Sequence, residues 1–347
     1  MKLHIDGIIF SLQKHGGISV YFRELLNYIN IHGVDIEASV SLELPYIQDI
    51  LGLSSEIMIE RRPARFLERY RDCRLSKNTK VFHSSYYRRP KYKGIASVVT
   101  VHDFIYERYS SGIARTVHMT QKHAAIRQAQ VIICVSNSTY EDLYELVGVR
   151  ADQTVHVIHN GVNPIFRPFE KKSTEKCQPF VLYVGERRGY KNFSLVVSAL
   201  KYLPEFELHC VGGGPFRKEE FQGIDPSVYK RVKHLGYLSD EELNLAHNDS
   251  LCLLYPSQYE GFGIPVIQAM RAGCPVVSIN CKAIIEVGGQ ALELVQSEDQ
   301  MEIAHAVLKL LDDSYRNKKV LAGIQQSKQF DWAKCHAATL DLYRNLN

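Results

Sequence analysis

The segment from residue 251 to 278 most constrains what this chain can fold into. It begins with a short apolar run at 251–255, which is typical of a buried parallel strand. A loop containing Gly261 and Gly263 follows, then a short helical pattern with a proline in its first turn, and then a second strand-like run at 275–278. The order strand, glycine loop, helix, strand predicts an α/β unit.

The glycine loop is suited to binding an anionic ligand. Glycines without a Cβ let the backbone approach a ligand, and a helix start offers unpaired N–H groups and a positive dipole end to a phosphate. Glu260 stands in this loop and Gln268 lies one turn inside the helix, so both side chains could reach one ligand. An ordinary turn with a solvated glutamate fits the same spacing.

Residues 259–265 (Tyr-Glu-Gly-Phe-Gly-Ile-Pro) resemble the signature of the GT4 family of retaining glycosyltransferases. In that family a glutamate, seven residues and a second glutamate hold a sugar nucleotide. The resemblance implies that Glu260 holds a hydroxyl of the donor sugar and that Gln268 contacts the ribose. It also implies that the loop amides face the leaving diphosphate; these belong to Gly261, Phe262, Gly263 and Ile264. Gln268 replaces the second glutamate, and an amide still donates and accepts hydrogen bonds. The replacement leaves a non-catalytic copy open.

Composition predicts a globular protein in a reducing compartment. The 347 residues suggest two domains, 45% of them are hydrophobic, and the net charge is only +4. None of the 8 cysteines forms a C-x-x-C pair, which leaves zinc and thioredoxin-like chemistry without support. No apolar run reaches the roughly 18 residues that span a bilayer, and Asp6 interrupts the first apolar stretch. We therefore expect a cytoplasmic protein, soluble or peripheral on the inner face of the membrane.

The first half opens as a doubly wound domain. A strand predicted at 3–10 is followed by Gly16 and Gly17 and then by an amphipathic helix. A plain tight turn explains a Gly-Gly pair equally well, whereas the resemblance places both glycines against the donor diphosphate. A later strand ends at His102, at the edge where open α/β sheets bind ligands. The resemblance places His102 beside the donor sugar, in the site but not necessarily as a base.

Residues 60–93 are strongly basic. They contain twelve Lys and Arg against three Asp and Glu, a local balance of 12 − 3 = +9, with aromatic and leucine residues interleaved. One interpretation is a basic amphipathic face that contacts anionic lipid. A solvated helix face and a nucleic-acid patch are the alternatives, and no nucleic-acid motif accompanies the charge.

A second glycine turn, at 185–192, places three cations before a helix. Fixed cations stabilise a departing diphosphate, and this chain has no Asp-x-Asp pair for a metal. The resemblance assigns this role to Lys191 and Arg187, and less firmly to Arg188; Glu186 stands where the family usually has its arginine. We therefore expect no metal and no cofactor besides the nucleotide-sugar donor.

Two further turns contribute to the predicted donor site. The turn beginning at Gly212 resembles a frequent GT4 sequence. Arg217 stands where a dinucleotide fingerprint needs its third glycine, which argues against a nicotinamide site. The resemblance also places the backbone of Tyr237 and Leu238 against the nucleotide base.

Together these motifs imply the GT-B architecture, two Rossmann-like doubly wound domains facing each other across a cleft. We expect an acceptor domain at 1–165, a donor domain at 166–329 and a C-terminal helix at 330–347 that returns to the first domain. The motif order, including residues 82–87, most resembles bacterial surface-polysaccharide mannosyltransferases.

The resemblance implies retaining transfer of a hexose to a glycan or lipid-linked glycan. GDP-mannose is the first donor candidate and a UDP-hexose is the second. A non-catalytic binding subunit and another GT-B enzyme, such as a sugar-nucleotide epimerase or a phosphorylase, are the alternatives.

Overall fold

The computed structural model describes residues 1–13, 16–42, 57–63, 65–76, 78–169 and 178–346. The chain divides into two compact units. Unit 1 comprises Met1–Gly161 together with Trp332–Asn347, and unit 2 comprises Val162–Asp331. The sequence predicts a boundary near residue 165, and the chain divides after Gly161.

Each unit is built on one parallel sheet within the described residues. The sheet of unit 1 has the order β3-β2-β1-β4-β5-β6-β7 and that of unit 2 the order β10-β9-β8-β11-β12-β13. The strands of unit 1 are β1 (Lys2–Asp6), β2 (Glu37–Leu42), β3 (Met58–Arg61), β4 (Val81–Ser84), β5 (Ala96–Val101), β6 (Val131–Cys134) and β7 (Thr154–Val157). Those of unit 2 are β8 (Phe180–Val184), β9 (Glu207–Val211), β10 (Val232–Gly236), β11 (Leu253–Tyr255), β12 (Val276–Ile279) and β13 (Glu293–Val295).

Helices make many of the connections between the strands, as is usual for parallel pairing, whereas β3, β4 and β5 are joined by loops and a 3-10 turn in the described residues. Unit 1 has α1 (Ile8–Leu12), α2 (Gly17–His32), α3 (Ile105–Tyr109), α4 (Gly112–Gln128), α5 (Asn137–Leu146) and the C-terminal α13 (Trp332–Asn345). Unit 2 has α6 (Phe193–Ala199), α7 (Pro226–Tyr229), α8 (Asp240–Asp249), α9 (Ile264–Arg271), α10 (Lys282–Gly288), α11 (Gln300–Lys309) and α12 (Asp313–Ser327). Short 3-10 turns lie at Glu68–Tyr70, Gly189–Lys191, Leu200–Tyr202, Lys218–Phe221 and Gly289–Ala291.

The strand order creates one switch point in each sheet. In unit 1 the chain winds outward in opposite directions from the adjacent pair β1 and β4, and in unit 2 from the pair β8 and β11. Ligands of open α/β sheets bind outside the carboxyl ends of strands at such a switch point. The fold therefore marks one edge of each sheet as a ligand position.

Three sequence-based predictions of local structure need correction. The strand predicted at 3–10 ends at Asp6, and α1 follows because an apolar run does not distinguish a strand from a buried helical turn. The polar run at 136–139 predicts Ser138 or Thr139 as the N-cap of the helix that follows. The N-cap of α5 is instead Ser136, whose Oγ accepts the N–H of Thr139 at 3.0 Å.

The third correction concerns the basic region. Residues 57–93 form no α-helix where the structure describes them; they form β3, a 3-10 turn, β4 and loops, and Lys77 is outside the described part. Arg88, one of the cations counted there, is internal. Arg88 is only 2% exposed and pairs with both Asp6 and Glu68.

The core of unit 2 is formed by apolar residues from its strands and from the helices that cover them. Val181, Leu208 and Leu254 of the sheet pack with residues of α6 and α11, such as Val196 and Val307. Burial on both faces explains the continuous apolar strand sequences. Seven cysteines in the described residues are free and buried; Cys177 is outside that part.

Candidate active site

The switch point of unit 2 brings together the glycine turn at 185–192 and the loop that carries Glu260. Strands β8 and β11 are neighbours, with Leu182 opposite Leu253. The chain leaving β8 reaches Lys191, and the chain leaving β11 reaches Glu260. The N–H of Gln258 donates to the Tyr190 carbonyl at 2.8 Å and joins the two loops.

Lys191, Glu260 and Tyr255 form a compact polar triangle. The Lys191 ammonium donates to Glu260 Oε1 and, at 3.3 Å, to the Tyr255 hydroxyl. The lysine side chain is 13% exposed and the glutamate 9%. Burial, and next the charge of Glu260, hold the pKa of Tyr255 well above its usual value, so the hydroxyl stays protonated and can bond to Glu260. A lysine has three N–H donors, so one remains to meet an anionic oxygen.

Gly263 shapes the loop that leads into α9. It caps the helix with φ +101, a left-handed conformation that L side chains rarely adopt. A Cβ there would lie 2.4 Å from Ile284 Cδ1. Pro265 occupies the first turn, and Gln268 is half-buried on the same helix. The structure thus has a glycine turn at the start of α9, and its contact with an anion stays a prediction.

Arg187 has a different position from the predicted diphosphate contact. Its guanidinium is 1% exposed and donates to Glu220 at 3.1 Å. It also donates to four carbonyl oxygens, those of Gly212, Gly213, Gly214 and Pro215, at 2.8–3.2 Å. This arrangement uses the planar fork of arginine to hold a loop. In this structure Arg187 supports the turn after β9, whereas Arg188 is exposed.

The turn held by Arg187 contains three consecutive left-handed glycines. Gly212, Gly213 and Gly214 have φ of +79, +72 and +68. A Cβ on Gly213 would lie 2.6 Å from Arg187 Nη1, so both the conformation and the space require glycine. Tyr237 and Leu238 follow the end of the neighbouring β10, and Tyr237 is 55% exposed.

His102 follows the end of β5 in unit 1. It is buried, and its Nε2 has no hydrogen-bond partner among the described residues. Burial, and next the charge of Lys122, lower its pKa to about 3, so the ring is neutral at physiological pH. Tyr21 packs edge-on against it, with ring centroids 5.2 Å apart. The position of His102 beside the donor sugar stays a prediction.

The two predicted glycines of unit 1 lie at the start of α2. Gly16 caps the helix in an extended conformation, and the Ser19 hydroxyl donates to its carbonyl at 2.9 Å. A Cβ on Gly16 would collide with the Gln13 side chain. The residues immediately before Gly16, 14 and 15, lie outside the described part.

Sequence reasoning missed Tyr255 and the buried pair Lys122 and Glu107. In the sequence Tyr255 is only the last residue of an apolar run. Lys122 is fully buried on α4; it donates to the Asp103 carbonyl and pairs with Glu107 at 3.1 Å. A lysine and a glutamate fifteen positions apart carry no local signal of pairing. No group of three His, Cys, Asp or Glu side chains in the described parts of the chain is arranged to hold a metal ion.

Two family models match consecutive halves of the chain. Residues 15–166 match Glycosyltransferase Family 4, and residues 166–338 match Glycosyl transferases group 1. The chain belongs to the GT4 glycosyltransferases. Its two Rossmann-like units are those of the GT-B fold. The predictions of family and fold class are thereby confirmed.

Comparison with individual proteins agrees with this assignment. O-antigen chain mannosyltransferase B of Escherichia coli is 28% identical over 245 residues, which is 65% of this chain and 63% of that relative. The chain thus spans less than two thirds of the relative's length. The solved structure of sucrose-phosphate synthase (tll1590) from Thermosynechococcus elongatus has a TM-score of 0.78 at 20% identity, covering 99% of this chain and 98% of the other. Anabaena Alr3699/HepE in complex with UDP-glucose has a TM-score of 0.73 at 16% identity, covering 99% and 100%.

Helices long and apolar enough to cross a membrane are absent from the described residues of this GT4 chain.

Proposed function

We propose that this GT4 protein transfers a hexose from a nucleoside diphosphate sugar to a hydroxyl of a glycan or lipid-linked glycan, with retention at the anomeric carbon. GDP-mannose is the first donor candidate, because a relative acts as an O-antigen mannosyltransferase. A UDP-hexose is the second, because a structural neighbour binds UDP-glucose. Surface-polysaccharide synthesis in the cytoplasm is the proposed setting, and the free, buried cysteines of the described residues suit a reducing compartment.

The observation that carries the proposal is the pairing of Lys191 with Glu260 at the switch point of unit 2. A cation and a carboxylate held together beside a glycine loop can bind the diphosphate and the sugar of one donor molecule. The third N–H of Lys191 meets a phosphate oxygen, while Glu260 accepts a hydrogen bond from a sugar hydroxyl. Gln268, on α9, is proposed to contact the ribose.

In the proposed reaction the bond between the anomeric carbon and the diphosphate oxygen breaks, and its electron pair stays on the diphosphate. The acceptor oxygen forms a bond to the same face of that carbon and passes its proton to a phosphate oxygen. The Lys191 ammonium and the amides of Gly261–Ile264 stabilise the negative charge that develops on the diphosphate. No step needs a metal, so activity is expected to survive chelation by EDTA.

Calorimetric titration with GDP, UDP and ADP, each without metal, tests the donor part of the proposal. Tight binding of one diphosphate would identify the base and support recognition by protein groups alone. Binding by none of the three would contradict the proposed donor site. A non-catalytic binding subunit, which Gln268 permits, is the second candidate; it predicts diphosphate binding without transfer or donor hydrolysis in a pure sample.

Replacing Glu260 tests the catalytic part. We expect Glu260→Ala to abolish transfer and to leave binding of the free diphosphate largely intact, because the carboxylate contacts the sugar and not the phosphates. Glu241→Ala, at an exposed position in the first turn of α8, is the matched control and should keep wild-type activity. A fully active Glu260→Ala protein would refute the assigned role.

A further inference from the structure

Two apolar side chains project from unit 1 next to the 3-10 turn at Glu68–Tyr70. Phe66 is 81% exposed and Leu67 54% exposed, and Tyr70 beside them is 46% exposed. Leu67 has φ +56, a left-handed conformation that is uncommon for residues other than glycine, asparagine and aspartate. The chain thus accepts both backbone strain and exposed apolar surface at one place. We call Phe66, Leu67 and Tyr70 the apolar tip.

Buried charges hold the apolar tip in place. Glu68 accepts from Arg65 at 2.6 Å and from Arg88 at 2.6 Å. Arg88 also donates to Asp6, at the end of the central strand β1, at 3.1 Å. The Phe66 carbonyl accepts from Arg71 Nε at 2.9 Å. These bonds anchor the turn to the sheet, so the exposure of the tip is a property of a supported structure.

Exposed cations lie on the segment that follows the apolar tip and on a neighbouring loop. Arg71 and Arg74 lie on the same segment. The loop after β4 runs beside this segment, because the Cys73 N–H donates to the Arg89 carbonyl at 2.7 Å and the Lys91 N–H to the Cys73 carbonyl at 3.1 Å. That loop contributes two further exposed cations. We call the four residues Arg71, Arg74, Lys91 and Lys93 the basic collar.

We propose that the apolar tip inserts among the headgroups of an anionic lipid bilayer while the basic collar contacts the lipid phosphates. Exposed apolar side chains together with nearby cations are the two-part signal that stable peripheral membrane binding requires. A nucleic-acid surface would instead offer aromatic rings along a basic groove for stacking on bases, and Leu67 cannot stack. The inference goes beyond sugar transfer and does not depend on it.

Sedimentation of the full chain with lipid vesicles tests the inference. Vesicles of phosphatidylcholine alone are compared with vesicles in which roughly a third of the lipid is phosphatidylglycerol, since anionic lipid attracts polybasic surfaces. We expect binding to the anionic vesicles only, weakening at high salt as charges are screened. The variant Phe66→Ser/Leu67→Asn removes the apolar tip, and asparagine tolerates the left-handed backbone at residue 67. We expect the partition coefficient to fall on the order of tenfold or more, because two large side chains no longer leave water.

Two further variants give the test its specificity. Lys91→Gln/Lys93→Gln should lower the partition coefficient several-fold and flatten its salt dependence. Val34→Ser is the matched control, because Val34 is also apolar and 98% exposed in unit 1 but lies on the turn before β2. It should bind vesicles as the wild type does.

Equal recovery of the wild-type protein with both kinds of vesicle would overturn the inference. Wild-type binding by the Phe66→Ser/Leu67→Asn variant would also overturn it, since the charges alone would then account for attachment. Nucleotide titration of the same variants separates this result from the donor site, which lies in unit 2 and should be unaffected.

Discussion

His336 on α13 is a buried imidazole whose replacement should make unit 1 less sensitive to acid. The ring is fully buried, and neither nitrogen has a hydrogen-bond partner in the described structure. It stacks on Trp332 with centroids 5.2 Å apart and planes at 3°, and Tyr21 packs edge-on at 5.3 Å. Burial lowers its pKa to about 3. The substitution His336→Phe keeps an aromatic ring in this stack and removes the titratable group.

The magnitude follows from proton linkage. The pKa of His336 is about 3 in the folded protein, below the usual value near 6.5 in an unfolded chain, so the unfolded state binds a proton first as the pH falls. The neutral ring therefore contributes its full stabilisation above the pKa of the unfolded chain, and this stabilisation is lost as the pH falls towards the pKa of the folded protein. Between pH 7 and pH 5.5 protonation of this one ring in the unfolded state lowers the free energy of unfolding by about 1 kcal/mol. The His336→Phe protein should lose less stability than the wild type between these two pH values, by that amount. This difference does not depend on the stability of the variant at neutral pH.

Urea unfolding at the two pH values measures this difference. Trp332 is the single tryptophan of the chain and lies against His336, so its fluorescence reports on unit 1. His32→Phe, at an exposed position on α2, is the matched control for exchanging a histidine for a phenylalanine in unit 1. His83→Phe is not equivalent, because His83 bonds to Thr100 at 2.9 Å and to Tyr343. If His336→Phe loses as much stability as the wild type on acidification, the buried ring is not kept neutral and the reasoning is wrong.

Two other substitutions test the donor unit. Arg187→Lys should destabilise unit 2 by about 3 kcal/mol in urea unfolding. The buried guanidinium of Arg187 bonds to Glu220 and to four carbonyl oxygens, and lysine cannot replace these bonds. A variant of wild-type stability that has lost GDP or UDP binding would instead show that Arg187 contacts the diphosphate directly. Gly263→Ala should lower the free energy of unfolding by about 1–3 kcal/mol, since the new Cβ would lie 2.4 Å from Ile284 on a left-handed backbone. It should also weaken diphosphate binding in the calorimetric titration. Unchanged stability and binding would show that the loop adjusts to the added methyl group.

Much of the fold was predictable because its signals are local. The continuous apolar strands, the glycine turns after them and the capped helices repeat in a doubly wound order. The strands predicted at 251–255, at 275–278 and before His102 are observed as β11, β12 and β5, whereas β1 ends at Asp6 and β2, β3, β4 and β13 were not predicted. The helix α12 (Asp313–Ser327) was not predicted. Only Gly323 and Ser327 of it are buried, so its apolar periodicity is weak.

The candidate site was predictable only in part. The sequence places Lys191 and Glu260 in separate glycine turns, and the adjacency of β8 and β11 decides that their side chains meet. Tyr255 joins them only because it ends β11, just before the loop that carries Glu260. In the same tertiary arrangement Arg187 bonds to the turn after β9, although the resemblance to GT4 enzymes implies a phosphate contact for it.

The sequence by itself determined the GT4 family, the two α/β units and the positions of the glycine turns, because those properties depend on residue types that are close together in the chain. Only the tertiary structure decided which cation pairs with Glu260, which arginines are internal and which histidines are kept neutral. These outcomes depend on burial and on partners tens of residues away. Burial sets the free energy of a charge, and the distant partners become neighbours only when the strands pair.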